Sequence, residues 1–169
     1  MTNPLIAHFT MLAAYNRLAN ERLYDACTVL SDAERKRDRK GFFRSIHGTL
    51  NHIMVGDRIW LCRLAPGGSQ SIALDAILYE GFDELRVARV TDDARIETFA
   101  AGLTDDFLAR SIDYTSSNGR KFNDPAPLLV AHMLNHQTHH RGQVHDMLSQ
   151  AGVATPVLDM HRVINPDSD

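Results

Sequence analysis

Cysteine is scarce in this chain. Cys27 and Cys62 are the only two, and nothing in their spacing resembles a Cys-x-x-Cys pair. Two such residues build neither a disulfide framework nor a zinc ribbon, so each is expected to pack as a small apolar side chain. Long hydrophobic runs are missing too: no apolar stretch approaches the roughly 20 residues that span a bilayer. The opening Met1-Thr2-Asn3-Pro4 lacks a basic segment followed by an apolar one, so no secretory signal is expected. Together these absences predict a reducing, cytoplasmic setting and no membrane partner. An excess of positive charge is also lacking. Eighteen Lys and Arg stand against 21 Asp and Glu, and a formal net charge of −3 leaves no electrostatic footprint for nucleic acid. No internal repeat or low-complexity segment interrupts the sequence.

What the chain has in plenty is histidine. There are nine in 169 residues, and five fall between His132 and His145. Apolar residues make up 44% and charged residues 23%, the balance of an ordinary globular protein, and the length favours one domain over residues 1–169. The apolar periodicity predicts an all-α fold with four long helices, at about 4–30, 42–64, 92–111 and 125–150. Asn3 and Pro4 suit the start of the first, and Leu5, Phe9, Leu12, Ala19, Leu23 and Cys27 form its stripe. Asn16 breaks that stripe and reads as a buried amide bonded to a neighbour. Ile46, Leu50, Ile53, Trp60 and Leu64 mark the second helix, with Trp60 read as core, and Pro66-Gly67-Gly68 ends it. Thr91 is the expected cap of the third helix and Asp124 of the fourth. The connection between the second and third helices is too long for a hairpin of neighbours and suits a crossover along a bundle. Asn118-Gly119 signals a tight turn, hence a short hairpin before the fourth helix.

The fourth helix carries the chemistry. Leu129, Met133, His136, His140, Val144 and Met147 share one inward stripe. His136 and His140 lie four apart, one turn on an α-helix, so both imidazoles reach one point. Two adjacent inward histidines bury polar nitrogens that need partners. Either satisfied core contacts or a shared cation would supply them. The pair resembles a zincin helix only superficially, because Gln137 stands where His-Glu-x-x-His needs its general base. Inward glutamates for a ferritin-like di-metal centre are almost absent. His132, His139 and His145 fall off the stripe, with His145 directed toward solvent. A third ligand must come from another helix, and His8, His47 and His52 are the candidates. His52, at the edge of the inward stripe of the second helix with Gly56 clearing space one turn on, fits modestly best.

Three segments carry a wider resemblance. They are Tyr15-Asn16-Arg17-Leu18-Ala19-Asn20-Glu21; Ser45-Ile46-His47-Gly48-Thr49-Leu50-Asn51-His52-Ile53 followed by Asp57-Arg58-Ile59-Trp60; and His136-Gln137-Thr138-His139-His140-Arg141-Gly142-Gln143. In these the chain resembles the DinB-like superfamily of damage-inducible four-helix-bundle metalloproteins. The resemblance implies an up-down-down-up bundle and a homodimer. It also implies a divalent metal, nickel or zinc, held by His52, His136 and His140. Some relatives transfer or isomerise small-molecule substrates with a low-molecular-weight thiol, while others are metal-binding proteins without known activity. A metal-dependent thiol S-transferase or isomerase is therefore one expectation, and a non-catalytic stress-response protein the alternative. Two residues bordering the pair are candidates for cofactor binding. Arg141 would either fork to a thiol cofactor's carboxylate or form an ion pair with another helix or subunit. Gln143 would orient an imidazole. Asn51 and Asp57 read as polar contacts within the bundle.

Overall fold

Asn3 starts the first helix as expected: its side chain accepts from the Leu5 amide at 2.9 Å, and Pro4 occupies the first turn, where no amide proton is missed. The computed structural model describes residues 3–68 and 70–166. Met1 and Thr2, part of the stretch read for a signal, lie outside the described residues, as do Ser69 and residues 167–169. Among the described residues the chain forms seven helices and one two-stranded sheet: α1 Pro4–Cys27, α2 Asp32–Lys36, α3 Ile46–Leu64, α4 Phe82–Ala101, α5 Asp105–Leu108, β1 Ser111–Thr115, β2 Lys121–Pro125, α6 Ala126–Gln150 and α7 Met160–Ile164. No described helix is long and apolar enough to cross a membrane.

Several boundaries differ from the periodicity. The first helix stops at Cys27, and Ser31 caps a separate short helix. The second begins at Ile46 rather than residue 42, because Lys40 and Arg44 take positive φ values of 63° and 67° and the Ser45 hydroxyl accepts from the Gly48 amide. The largest correction concerns the third. It starts at Phe82, well before Asp92, and ends at Ala101, so Thr91 is an interior residue rather than a cap. Its inward face carries Arg89, Asp92 and Asp93, and these charges break the apolar rhythm that marks a helix. Thr104 then caps α5, which carries Phe107. Asp124 lies in β2 and is not a cap; α6 begins after it, with Pro125 at the capping position. Asn118 and Gly119 sit at the hairpin turn, with Gly119 at φ 81° and Ser111 paired to Pro125 at the open end.

The long helices pack pairwise, α1 on α4 and α6, and α3 on α4 and α6. α3 and α6 run antiparallel, since His52 meets His140 while Trp60 meets His132. α1 and α4 are antiparallel as well, through Arg17–Glu97 and Asn20–Asp93. Their apolar faces build two clusters. One gathers Leu23, Leu50, Met54, Leu85 and Leu148, and the other Phe9, Leu64, Ile96, Leu129 and Met133. Between them, on every long helix, comes a buried polar position: Asn16 and Asn20, Asp57, Arg89 and Asp93, then Gln137 and Arg141. These side chains pair with one another, although among the described residues Nε of Arg89 and of Arg141 is left without a hydrogen-bond partner. Gln137 donates to Asp57 at 3.1 Å, Arg89 pairs with Asp57 at 2.5 Å and Asp93 at 3.0 Å, and Asn20 donates to Asp93 and Gln137 at 2.9 Å.

Candidate metal centre

Three imidazoles meet at the level of this polar layer. α3 supplies His52 and α6 supplies His136 and His140, and one nitrogen from each lies within 4.8 Å of the others. Nε2 of His52 is 3.1 Å from Nε2 of His136. The protons on two of the rings are fixed by their other partners. His52 Nδ1 lies 2.6 Å from the Leu74 carbonyl and His140 Nδ1 lies 2.8 Å from Gln143 Oε1. Both partners can only accept, so each Nδ1 carries the proton and each Nε2 keeps its lone pair for the shared point. His136 Nδ1 is buried with no hydrogen-bond partner, so that ring is held by packing and by what its Nε2 meets. This donor set suits a transition-metal ion that takes neutral nitrogen.

Burial sets the charge state. Desolvation lowers His136 to about 3, helped by the neighbouring rings of His140 and His52. It lowers His140 to about 4, against the opposing bond from Gln143. His52 is likewise held below its ordinary value by burial, opposed by its bond to Leu74. All three are neutral near pH 7, the form that binds metal.

The surroundings position the rings. Phe43 stacks on His52 with centroids 3.6 Å apart and planes 16° apart, and it meets His140 edge-on at 5.5 Å. No periodicity signals Phe43, because it lies in the tight turn before α3. Gly56 leaves room for His136. Beside the triad opens a cleft of about 540 Å³, walled by Phe42, Phe43, Ile59, Trp60 and Tyr114. Trp60, read as core, packs against the second apolar cluster and is also a half-buried cleft wall, with its ring 4.8 Å from His132 and 5.4 Å from Tyr114.

The other sequence candidates scatter. His8 is exposed on α1. His47 is buried, with Nε2 2.9 Å from the Tyr79 carbonyl, so it ties the long connection to α3. Asn51 does the same, receiving the Tyr79 amide at 3.0 Å. His139 is exposed and stands edge-on to His140. His145 does not point to open solvent; it is half-buried, 3.2 Å from the Pro156 carbonyl. Gln143 holds His140, as a positioning side chain would. Arg141 does not face the cleft, and among the described residues it forms no ion pair. It is buried on the far side of α6, donating to Asn16 and Asn20 of α1 at 2.6 and 3.2 Å and lying over the Tyr15 ring.

A mostly helical fold with three neutral imidazoles converging beside an open cleft defines a class, the helical proteins whose histidine cluster can hold a transition-metal ion. Within that class the chain belongs to the DinB family, whose model matches residues 1–167. It is 25% identical over 157 residues to Protein DinB of Bacillus subtilis strain 168, covering 88% of each chain. Its fold is similar to the crystal structure of a DinB-like protein from Bacillus cereus ATCC 10987. That match has a TM-score of 0.62 at 20% identity and covers 82% of this chain and 89% of the other.

Proposed function

We propose that this protein binds a divalent metal ion, nickel or zinc, through His52, His136 and His140 and offers it to a small molecule entering the cleft. The observation that carries the reading is the convergence of three ligand nitrogens within 4.8 Å, two of them with protons committed elsewhere. Three protein ligands leave at least one coordination position for an outside group. When bound, the ion supplies a Lewis acid that favours the thiolate form of a thiol. The finer reading is metal-dependent thiol S-transfer or isomerisation with a low-molecular-weight thiol. The cleft supports this over a purely metal-holding role, which a site closed by its own side chains would serve as well. On this reading Phe43 and Gln143 keep two imidazoles aimed, and the aromatic walls exclude water from the entering group. The helix registers support an up-down-down-up bundle, with residues 65–81 as the crossover.

Metal analysis of untagged protein tests the first part. About one ion per chain is expected from the four-coordinate logic of such sites, with none in the variant carrying His52→Ala, His136→Ala and His140→Ala. Stoichiometric metal in that variant overturns the assignment. Metal-loaded protein incubated with common cellular thiols and a panel of electrophiles tests the second part. Absence of any conjugate removes the thiol reading and leaves the metal-binding one.

A further inference from the structure

The arginine that sequence reasoning set beside a carboxylate, Arg141, is buried elsewhere, but another arginine faces the cleft. Arg63 sits on α3 seven residues beyond Gly56, two turns or about 10 Å along the helix axis. Because Gly56 lies against His136, the triad and Arg63 mark opposite ends of one cleft. The guanidinium is well held. It lies 4.8 Å above the Trp60 ring and 5.2 Å from the Tyr114 ring, and one Nη donates to the Thr115 carbonyl at 2.9 Å. A guanidinium has five N–H donors, so this single bond leaves capacity for an oxyanion. None of the ion pairs among the described residues involves Arg63.

The walls point the same way. Among the described residues no aspartate or glutamate lines the cleft, and the carboxylate bonded to its wall, Asp124, already accepts from the Tyr114 hydroxyl at 2.9 Å. Between the two ends lie the apolar faces of Trp60, Ile59 and Tyr114, with the His132 ring beside Trp60 and the uncharged Ser116 and Ser117 completing the wall. A dicationic or strongly hydrated ligand finds no counter-charge there. A flat apolar body with negative charge at its far end finds both stacking surface and partner.

We propose that the cleft takes a small organic acid, with a metal-donor atom at the histidine end, an apolar or aromatic body against Trp60, and a terminal oxyanion on Arg63. The inference rests on the metal reading above and adds the chemical class of the outside ligand.

Two aromatic thiols of matched shape test it: 4-mercaptophenylacetate, which carries the distal charge, and 4-methylbenzenethiol, which does not. Their affinities for nickel-loaded protein are measured by calorimetry at pH 7, with metal content and helical circular dichroism recorded for every preparation. The acid is expected to bind at least about tenfold more tightly, the scale of one charge-assisted bond in a partly solvated site. Arg63→Met keeps an unbranched stem over Trp60 and should reduce the preference to within about twofold at unchanged metal content. Arg120→Ala removes a positive charge beside the hairpin turn and should leave the preference intact, which separates local pairing from a general field. Equal affinities for the unaltered protein overturn the inference and leave the metal reading standing. A preference that survives Arg63→Met overturns the assignment to Arg63. Loaded protein that binds neither thiol overturns both this inference and the thiol reading, and protein that takes up neither nickel nor zinc overturns the metal reading with them.

Discussion

Gly56 and His136 share one space: a Cβ placed on Gly56 would lie 2.5 Å from His136 Cε1 and 2.9 Å from Nδ1. The imidazole can therefore enter the triad only because α3 carries no side chain there. In isolation an interior Gly→Ala change favours a helix by about 1 kcal/mol. At this position it must push His136 out. Gly56→Ala is expected to keep its helical circular dichroism while metal affinity falls on the order of tenfold or more. Competition with a chromogenic chelator measures this, and undiminished affinity would refute the packing argument.

Gln143 controls a different ring. Its carbonyl accepts the His140 Nδ1 proton at 2.8 Å and so points Nε2 at the shared centre. Gln143→Leu removes the acceptor but preserves bulk. Metal affinity should drop about tenfold, with little change in the chelator-treated protein's thermal midpoint. Gln143→Glu, which restores an acceptor, should recover most of the affinity. If both variants bind like the parent, Gln143 has no positioning role.

The buried pair Asp57–Arg89 governs stability rather than binding. Asp57 is fully buried, and its removal leaves the Arg89 guanidinium with Asp93 alone. Asp57→Ala should lower unfolding free energy by about 3 kcal/mol, since the two buried guanidiniums of Arg89 and Arg141 would then share the single carboxylate of Asp93, and a buried charge short of its partner costs more than a lost contact. Adding Arg89→Met should recover part of that loss. Urea titrations of the single and double variants read the coupling, and strict additivity would contradict it.

Stability should also depend on pH in a defined sense. His136 and His140 are lowered to about 3 and about 4, whereas an unfolded histidine titrates near 6.5. Between those values the unfolded chain binds more protons, so the metal-free protein loses stability as pH falls from about 6.5. Asp57, raised to about 6 because burial outweighs Arg89, and Asp93, also raised by burial, act in the opposite sense as pH falls toward 4, while His52, His47 and His132, each lowered by burial, add to the histidine side. In chelator, the urea midpoint is expected to drop from pH 7 to pH 5, and His136→Gln should flatten that slope. A midpoint that does not move in the parent would count against neutral burial of the pair.

The parts of the site that were legible share a feature: they lie on one helix. His136, His140 and Gln143 are related by spacings of four and three, so geometry alone places them together. His52 comes from another helix, and spacing favoured it only modestly; the motif resemblance singled it out. Phe43 and Leu74 lie in irregular segments with no period to read, yet they fix the His52 ring. The start of α4 was hidden because Arg89, Asp92 and Asp93 face inward, where the apolar pattern expects aliphatic residues. Arg141 shows a third limit. Its direction away from His136 follows from helical geometry, but its partners on α1, the Asn16 and Asn20 amides, become visible only when the helices are assembled.

The polar layer has a consequence for how the chain finds this arrangement. Aliphatic faces tolerate sliding, because one methyl surface replaces another at small cost. Here a slip of one turn, about 5.4 Å, would strand the guanidinium groups of Arg89 and Arg141 among leucine and methionine side chains that offer them no acceptor. The amide and carboxylate partners on all four long helices meet in a single alignment, so the layer works as a vernier that rejects misaligned bundles. The same alignment brings His52 level with His136 and His140, and folding in the correct register therefore assembles the histidine cluster without any further search.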